Sequence, residues 1–255
     1  MYGLVRALNR LAELAWVHGE RAEAAAIYDQ TIVLSRQLDD KWLIAHSLSK
    51  LGRAAYYSGD AVQAISAYEE GLELWRELGD KARTGGLLVS LGEVARHQGD
   101  HERARAYYDE SLALWQKVGD TWGIAEVHCC LGYLAYNQGD DTQAAALFAS
   151  SLAVARKRED NGLEARLLAA RLLAGLAAIA QKQRAPRRAA RLLGAARAQF
   201  ETIDALWDAA ERREFDGFVA AVGSQLDEAA FAAAWAEGQA MPLAQGVAYA
   251  LEDGR

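Results

Sequence analysis

Proline is nearly missing, with two residues in a chain of 255, too few for a fold built on irregular loops. Cysteine is equally scarce. The two present, Cys129 and Cys130, are neighbours whose side chains diverge by about 100° on a helix and so do not bridge readily. A reducing compartment, the cytoplasm, is therefore expected. No run reaches the ~18 apolar residues of a membrane-spanning helix. The first twenty residues are broken by Arg6, Arg10, Glu13 and Glu20, so they lack the uninterrupted apolar stretch of a secretion signal. The catalytic signatures are missing too. There is no Gly-x-x-x-x-Gly-Lys-Ser/Thr phosphate loop, since Gly79-Asp80-Lys81 is a turn, and there is no Gly-x-Ser-x-Gly elbow. A formal charge of −7 argues against bulk affinity for nucleic acid.

What is present is helical. Alanine, leucine, glutamate and arginine dominate, which suits packed helices and gives an all-α fold class. Composition leaves one long domain or two short ones open. Gly19-Glu20, Gly59-Asp60, Gly99-Asp100 and Gly139-Asp140 recur every 40 residues, and Asp40, Asp80, Asp120 and Asp160 form a second series at the same period. Glycine accepts the left-handed conformation that ends a helix, and the acid caps the next one. Two turns per period mean two helices per repeat. Apolar positions such as Leu51, Ala54, Ala55 and then Ala64, Tyr68, Leu72 keep helical spacing on either side of the turn.

Leu51-Gly52, Leu91-Gly92 and Leu131-Gly132 precede Ala64, Ala104 and Ala144, with Tyr68, Tyr108 and Phe148 four residues further on. Leu11-Ala12, Ala24 and Tyr28 give a first copy. This pattern resembles the tetratricopeptide repeat. A fifth copy, Leu176-Ala177, Ala189 and Leu193, is shifted by 45 residues rather than 40; its glycine turn has become Arg184-Ala185-Pro186, with Pro186 at a first helical position. The insertion should lengthen the first helix of that pair. The resemblance implies a right-handed α-α superhelix of about five helix pairs over 1–204, with repeats at about 1–40, 41–80, 81–120, 121–160 and 161–204. Beyond residue 204 the period stops. Three shorter helices, Trp207–Leu226, Glu228–Ala240 and Pro242–Leu251, are expected to form a C-terminal cap over 205–255, because the last repeat would otherwise expose an apolar face.

The stretches beginning at Arg188, Ala229 and Val247 resemble the C-terminal end of large actinobacterial and chloroflexus-type regulators. In these a MalT-like repeat region follows a nucleotide-binding STAND module, a kinase, a cyclase or a LuxR-type DNA-binding domain. The resemblance implies a non-catalytic scaffold or regulatory arm of a bacterial signalling regulator, with small-molecule inducer sensing as the alternative.

Isolated reactive residues read more simply as structure. His97 and His101 flank the Gly99-Asp100 break, which prevents half a metal site on one helix, and His128, Cys129 and Cys130 read as a helix with buried thiols. Trp42, Trp75, Trp115 and Trp122 are expected in the core. Paired acids such as Glu69-Glu70 read as surface charge. The sharper anomaly is residues 156–197, with eleven Lys or Arg against three acids: +8 there and −15 elsewhere. It reads as a solvated arginine-rich face, or as a contact for phosphates, an acidic partner or the acidic half of its own parent protein.

In the tetratricopeptide family the first helix of each pair lines a concave groove, and carrying the family's register over gives the expected partner-binding residues. They are Trp16 in the first repeat, beside Glu13 and Val17; His46, Arg53, Tyr56 and Tyr57 in the second; Glu93 and Arg96 in the third; and Tyr133, Tyr136 and Asn137 in the fourth. Aromatics among arginines suit a protein or peptide, which includes a domain of the parent protein, or a small ligand. A chaperone-type carboxylate clamp is not expected, because Glu13, Arg53, Glu93 and Tyr133 occupy the positions where it needs asparagine. No cofactor and no metal are expected, and neither nucleic acid nor membrane as a partner.

Overall fold

A computed structural model describes residues 1–157, 162–202 and 209–252, all of them helices and short connections with no strand. It divides into two compact units, Met1–Asp120 and Thr121–Arg255. The first holds α1 (Tyr2–Val17), α2 (Arg21–Gln37), α3 (Lys41–Ser58), α4 (Ala61–Glu77), α5 (Lys81–His97) and α6 (His101–Val118). The second holds α7 (Thr121–Asn137), α8 (Asp141–Lys157), α9 (Leu163–Lys182), α10 (Pro186–Thr202), α11 (Ala209–Gly223), α12 (Glu228–Gln239) and α13 (Leu243–Leu251). Through α10, odd-numbered helices are the first members of pairs (helix A) and even-numbered ones the second (helix B). The turn acid Asp160, the basic-segment residues Arg158 and Glu159, the boundary at 204–205 and Trp207 lie outside the described residues.

The turns behave as their chemistry dictates. Asp40, Asp60, Asp80, Asp100 and Asp140 each accept, through a side-chain oxygen, the backbone N–H three residues on, at 2.9–3.0 Å. Each such cap contributes about 1 kcal/mol. Glu20, one methylene longer, makes no cap bond. The preceding glycines hold φ between +70° and +89°, a region open to them without a Cβ clash. Two turns reach it without glycine, at Asp39 (φ 52°) and at Arg184 (φ 62°), just where the fifth copy loses its glycine. The helix before that turn, α9, runs 20 residues against 16–18 in the eight before it.

Within pairs, a glycine on helix A receives the aromatic of helix B. A Cβ on Gly52 would stand 2.5 Å from the Tyr68 ring, one on Gly92 2.3 Å from Tyr108 and one on Gly132 2.5 Å from Phe148. In the second unit Phe148 also meets Gly175 of α9, at 2.6 Å from a Cβ placed there, so one ring fills the space between successive pairs. Phe148 is fully buried, worth about 1.5–3 kcal/mol in transfer from water.

Helices α11 and α13 pack on both α9 and α10, α12 packs on α10, and α13 reaches α8 as well. Phe215, Phe218, Ala234 and Val247 join Leu173, Leu193 and Phe200 in one apolar cluster. The closest approach is backbone on backbone. A Cβ on Gly194 of α10 would lie 2.2 Å from the Trp235 carbonyl oxygen, and one on Gly238 of α12 2.0 Å from that of Arg191. Two glycines set the distance between these helices.

Candidate functional site

In the first unit, α1 and α3 face each other across a cleft of about 510 Å³. Tyr2, Arg6, Asn9, Arg10 and Glu13 line it from α1, at the spacing that puts residues on one helical face. Asp40, Trp42, Leu43 and His46 line it from the start of α3. The Trp42 and His46 rings stack at 5.0 Å with 13° between planes. Trp42 is 43% exposed, which corrects the expectation of a core position; Trp75 and Trp115 are buried as expected, and Trp122 is half-buried. The reason is local. Trp42 sits in the first turn of α3, where its edge meets Trp75 at 5.9 Å and the Arg83 guanidinium lies 5.2 Å from its ring, leaving the rest open.

His46 is held down to about pKa 4, first by burial and then by repulsion from Lys50, Arg83 and Arg53, so it is neutral at pH 7. Its Nδ1, the Asn9 Oδ1 and the Arg53 Nε are buried without a hydrogen-bond partner among the described residues. Beyond His46 along α3, the Arg53 guanidinium lies 4.4 Å from the Trp16 ring, and Tyr57 meets that ring edge-on at 5.0 Å. The Arg21 guanidinium is 5.5 Å from the Tyr57 ring. Trp16, His46, Arg53 and Tyr57 thus share the α1–α3 region. Trp16 itself is buried, however, and supports this face from beneath.

Glu93 and Arg96 also differ from the expectation of open groove residues, being 9% and 3% exposed. Arg96 donates to the Glu93 carboxylate through two nitrogens, at 3.2 and 3.3 Å, and to His97 Nε2 at 2.6 Å. The Tyr108 hydroxyl donates to Glu93, and the Tyr56 hydroxyl meets His97 Nδ1. A buried charge is retained only when paired and hydrogen-bonded, and this chain satisfies that condition across α3, α5 and α6. In the second unit Tyr133 is likewise buried, donating its hydroxyl to the Arg171 carbonyl at 2.7 Å. Tyr136 is half-buried, with the Lys182 ammonium 4.1 Å from its ring; burial pushes its hydroxyl pKa up and Lys182 offsets part of that rise. Asn137 is exposed at the end of α7.

The basic segment is largely engaged within the second unit. Lys182 pairs with Asp141 at 2.6 Å, Arg171 with Glu211 at 3.1 Å and Arg191 with Glu237 at 2.5 Å. Arg188 donates to the carbonyls of Tyr249, Ala250 and Glu252, the acceptors that a helix C-terminus leaves open. Its cations therefore hold α11–α13 in place.

Sequence reasoning missed Arg6, Asn9 and Arg10, although Tyr2, Arg6, Asn9 and Glu13 carry a visible helical spacing; the family register begins only at Glu13. It also missed a ladder between helices B. Arg36 reaches Glu70 and Arg76 reaches Glu110, both over 34 residues and at 2.6 Å, and Arg103 returns to Glu69 at 2.6 Å. The constant offset was the available signal. Among the described residues, no three His, Cys, Asp or Glu gather as a metal site, and no helix is long and apolar enough to cross a membrane. Cys129 and Cys130 are buried and form no disulfide.

Antiparallel helix pairs with a glycine–aromatic lock define an α-α repeat of tetratricopeptide type. Residues 83–157 match the tetratricopeptide repeat family directly. No curated protein matches the chain. Among solved structures, BtubC from P. vanneervenii is 18% identical with a TM-score of 0.57, covering 87% of this chain and 81% of its own. A protein of nearly identical TPR-like repeats from Podospora anserina is 17% identical with a TM-score of 0.57, over 78% of this chain and 96% of that one. A STAND protein with a tetratricopeptide repeat sensor, from Pyrococcus horikoshii, gives a TM-score of 0.60 at 15% identity; the match covers 92% of this chain and 35% of the STAND protein. At these identities the likeness establishes the fold.

Proposed function

We propose that this chain is a non-catalytic interaction module, the scaffold or regulatory arm of a bacterial signalling regulator, which holds a peptide or partner domain on the helix-A face of its first unit. The observation that carries this reading is the α1–α3 cleft, where the stacked Trp42 and His46 and the exposed Arg6 and Arg10 converge. Rings supply contact area at little entropic cost, and the guanidinium groups fix orientation. A regulatory arm also suits the STAND neighbour, whose repeats are named as its sensor. The proposed setting is the reducing cytoplasm, which two buried cysteines without a disulfide suit. The test is quantitative affinity capture from host extract by wild type and by Trp42→Ala with His46→Ala, each verified as folded by circular dichroism. Specific partners should be lost from the variant; identical recovery by both rejects this face.

A second reading, inducer sensing, is favoured by the cleft's volume, which falls within the ~300–1,000 Å³ of small-molecule sites. A ligand present at 100 times its dissociation constant stabilises by about 2.7 kcal/mol, so a thermal-shift screen of sugars, nucleotides and organic acids reads it directly. A flat screen removes it.

A further inference from the structure

The α1–α3 cleft carries more information than its shape, because its charges are unequally satisfied. Glu13 lies 4.0 Å from the Lys50 ammonium, and Asp40 is occupied as the cap of α3, accepting the Leu43 N–H at 3.0 Å. Arg6 and Arg10 are exposed and make no ion pair among the described residues. Behind them the local field is positive, since Lys50, Arg53 and Arg83 all act on His46. The cleft therefore favours an anion. An anion alone does not complete it, because the 43% exposed Trp42, stacked on a neutral His46, lines the same cleft beside the arginines and offers a flat, uncharged bed. A ligand that brings carboxylates together with flat amide groups meets both demands, and a peptide is such a ligand.

The spacing narrows the class further. Arg6 and Arg10 stand one turn apart on α1, about 6 Å along the axis. In an extended peptide, residues i and i+2 point to the same side and lie about 6.6–6.8 Å apart. Two acids separated by one residue thus match the two guanidinium groups, with the alternate side chain turned away and backbone amides at the level of Asn9 and His46. Adjacent acids would point to opposite sides, and two acids on a helix would need to be four residues apart.

We propose that the α1–α3 cleft binds an extended acid-x-acid segment of a partner protein, with Arg6 and Arg10 each taking one carboxylate and the Trp42–His46 stack bedding the backbone. This rests on the partner-binding reading of the helix-A face and specifies its ligand.

The experiment is fluorescence-anisotropy titration of the full chain at low salt with a labelled, end-blocked peptide centred on Glu-Ala-Glu. Peptides with Gln-Ala-Gln and Glu-Glu-Ala centres, free glutarate and inorganic phosphate serve as competitors. The Glu-Ala-Glu peptide should bind, and both competitor peptides should be weaker by at least about tenfold, as expected for losing a charge-assisted contact. Arg6→Gln with Arg10→Gln should weaken binding by a similar factor, whereas Arg36→Gln, on the opposite helix B, should leave it unchanged. Both variants alter exposed side chains, and circular dichroism confirms that each is folded. Equal binding of Gln-Ala-Gln or of Glu-Glu-Ala, or indifference to the double variant, overturns the proposal. So does competition by glutarate or phosphate at the peptide's own affinity, which would mark a small-anion site instead. If no acidic peptide binds while partner capture still depends on Trp42 and His46, this inference falls and the broader reading stands; if both fail, both fall.

Discussion

Gly238→Ala tests the packing account, because two physical effects predict opposite signs. Gly238 lies inside α12, where helix propensity alone favours alanine by about 1 kcal/mol. The structure opposes this. A Cβ there would stand 2.0 Å from the Arg191 carbonyl oxygen and 3.0 Å from the Ala195 nitrogen, against a normal carbon–oxygen contact of about 3.3 Å. Both obstacles are backbone, so no rotamer change relieves them and α12 must move off α10 by about 1 Å. Overpacking of this kind costs up to about 3 kcal/mol. The net expectation is a loss of about 2 kcal/mol, against a gain of about 0.5–1 kcal/mol for Gly217→Ala in α11, where nothing lies within 4 Å of the added carbon. In urea unfolding with a slope of about 2 kcal/mol/M, Gly238→Ala should lower the midpoint by about 1 M and Gly217→Ala should raise it slightly. Amide exchange should quicken in α12 and along the facing side of α10. If Gly238→Ala stabilises as much as Gly217→Ala, the close approach of α10 and α12 is refuted.

Other consequences follow from the same contacts. Phe148→Ala empties the space between Gly132 and Gly175 and should cost about 3–5 kcal/mol in calorimetry or denaturant unfolding. His46 takes up a proton at about 6.5 when unfolded but only at about 4 when folded, so the unfolded state binds more protons between those values and stability falls as pH drops through the window. Because the side chain is partly exposed, the loss should be about 1–2 kcal/mol, seen as a smaller acid slope in His46→Asn than in wild type on denaturation at pH 7 and pH 4.5. Arg184→Gly relieves a left-handed backbone in the turn before α10 and should stabilise by about 0.5–1 kcal/mol, readable as a raised melting temperature. Glu70→Gln removes one rung of the exposed ladder and should change stability by less than about 1 kcal/mol, with the difference vanishing at high salt.

The helices were legible because their signals are local. Glycine and aspartate at fixed period announce each stop and start, and small residues set opposite Tyr68, Tyr108 and Phe148 announce the lock between helices. The C-terminal helices were legible from composition and spacing, but their mode of docking was not. Gly194 and Gly238 are 44 residues apart, and only the fold shows that each glycine faces the other helix's backbone. The family register identifies which positions lie on helix A without saying how deep each side chain sinks. Trp16, Glu93, Arg96 and Tyr133 occupy the expected helices yet are buried, because an aromatic lock or a paired charge below the face outweighs exposure. Trp42 errs the other way: a tryptophan at a helix start reads as core until its neighbours Trp75 and Arg83 are seen to cover only part of it. The basic segment was conspicuous in one dimension, and in three Arg171, Lys182, Arg188, Arg191 and Arg197 are engaged within the second unit.

The most direct test of the central claim is photo-crosslinking in cells, with benzoylphenylalanine placed in the full chain at Tyr2 on the cleft or at Glu73 on the exposed side of α4. Discrete adducts are expected from position 2 that disappear when Trp42 and His46 are replaced by alanine, and none from position 73. Adducts from position 73 alone, or adducts from position 2 that persist in the alanine background, would contradict the partner-binding role of this cleft.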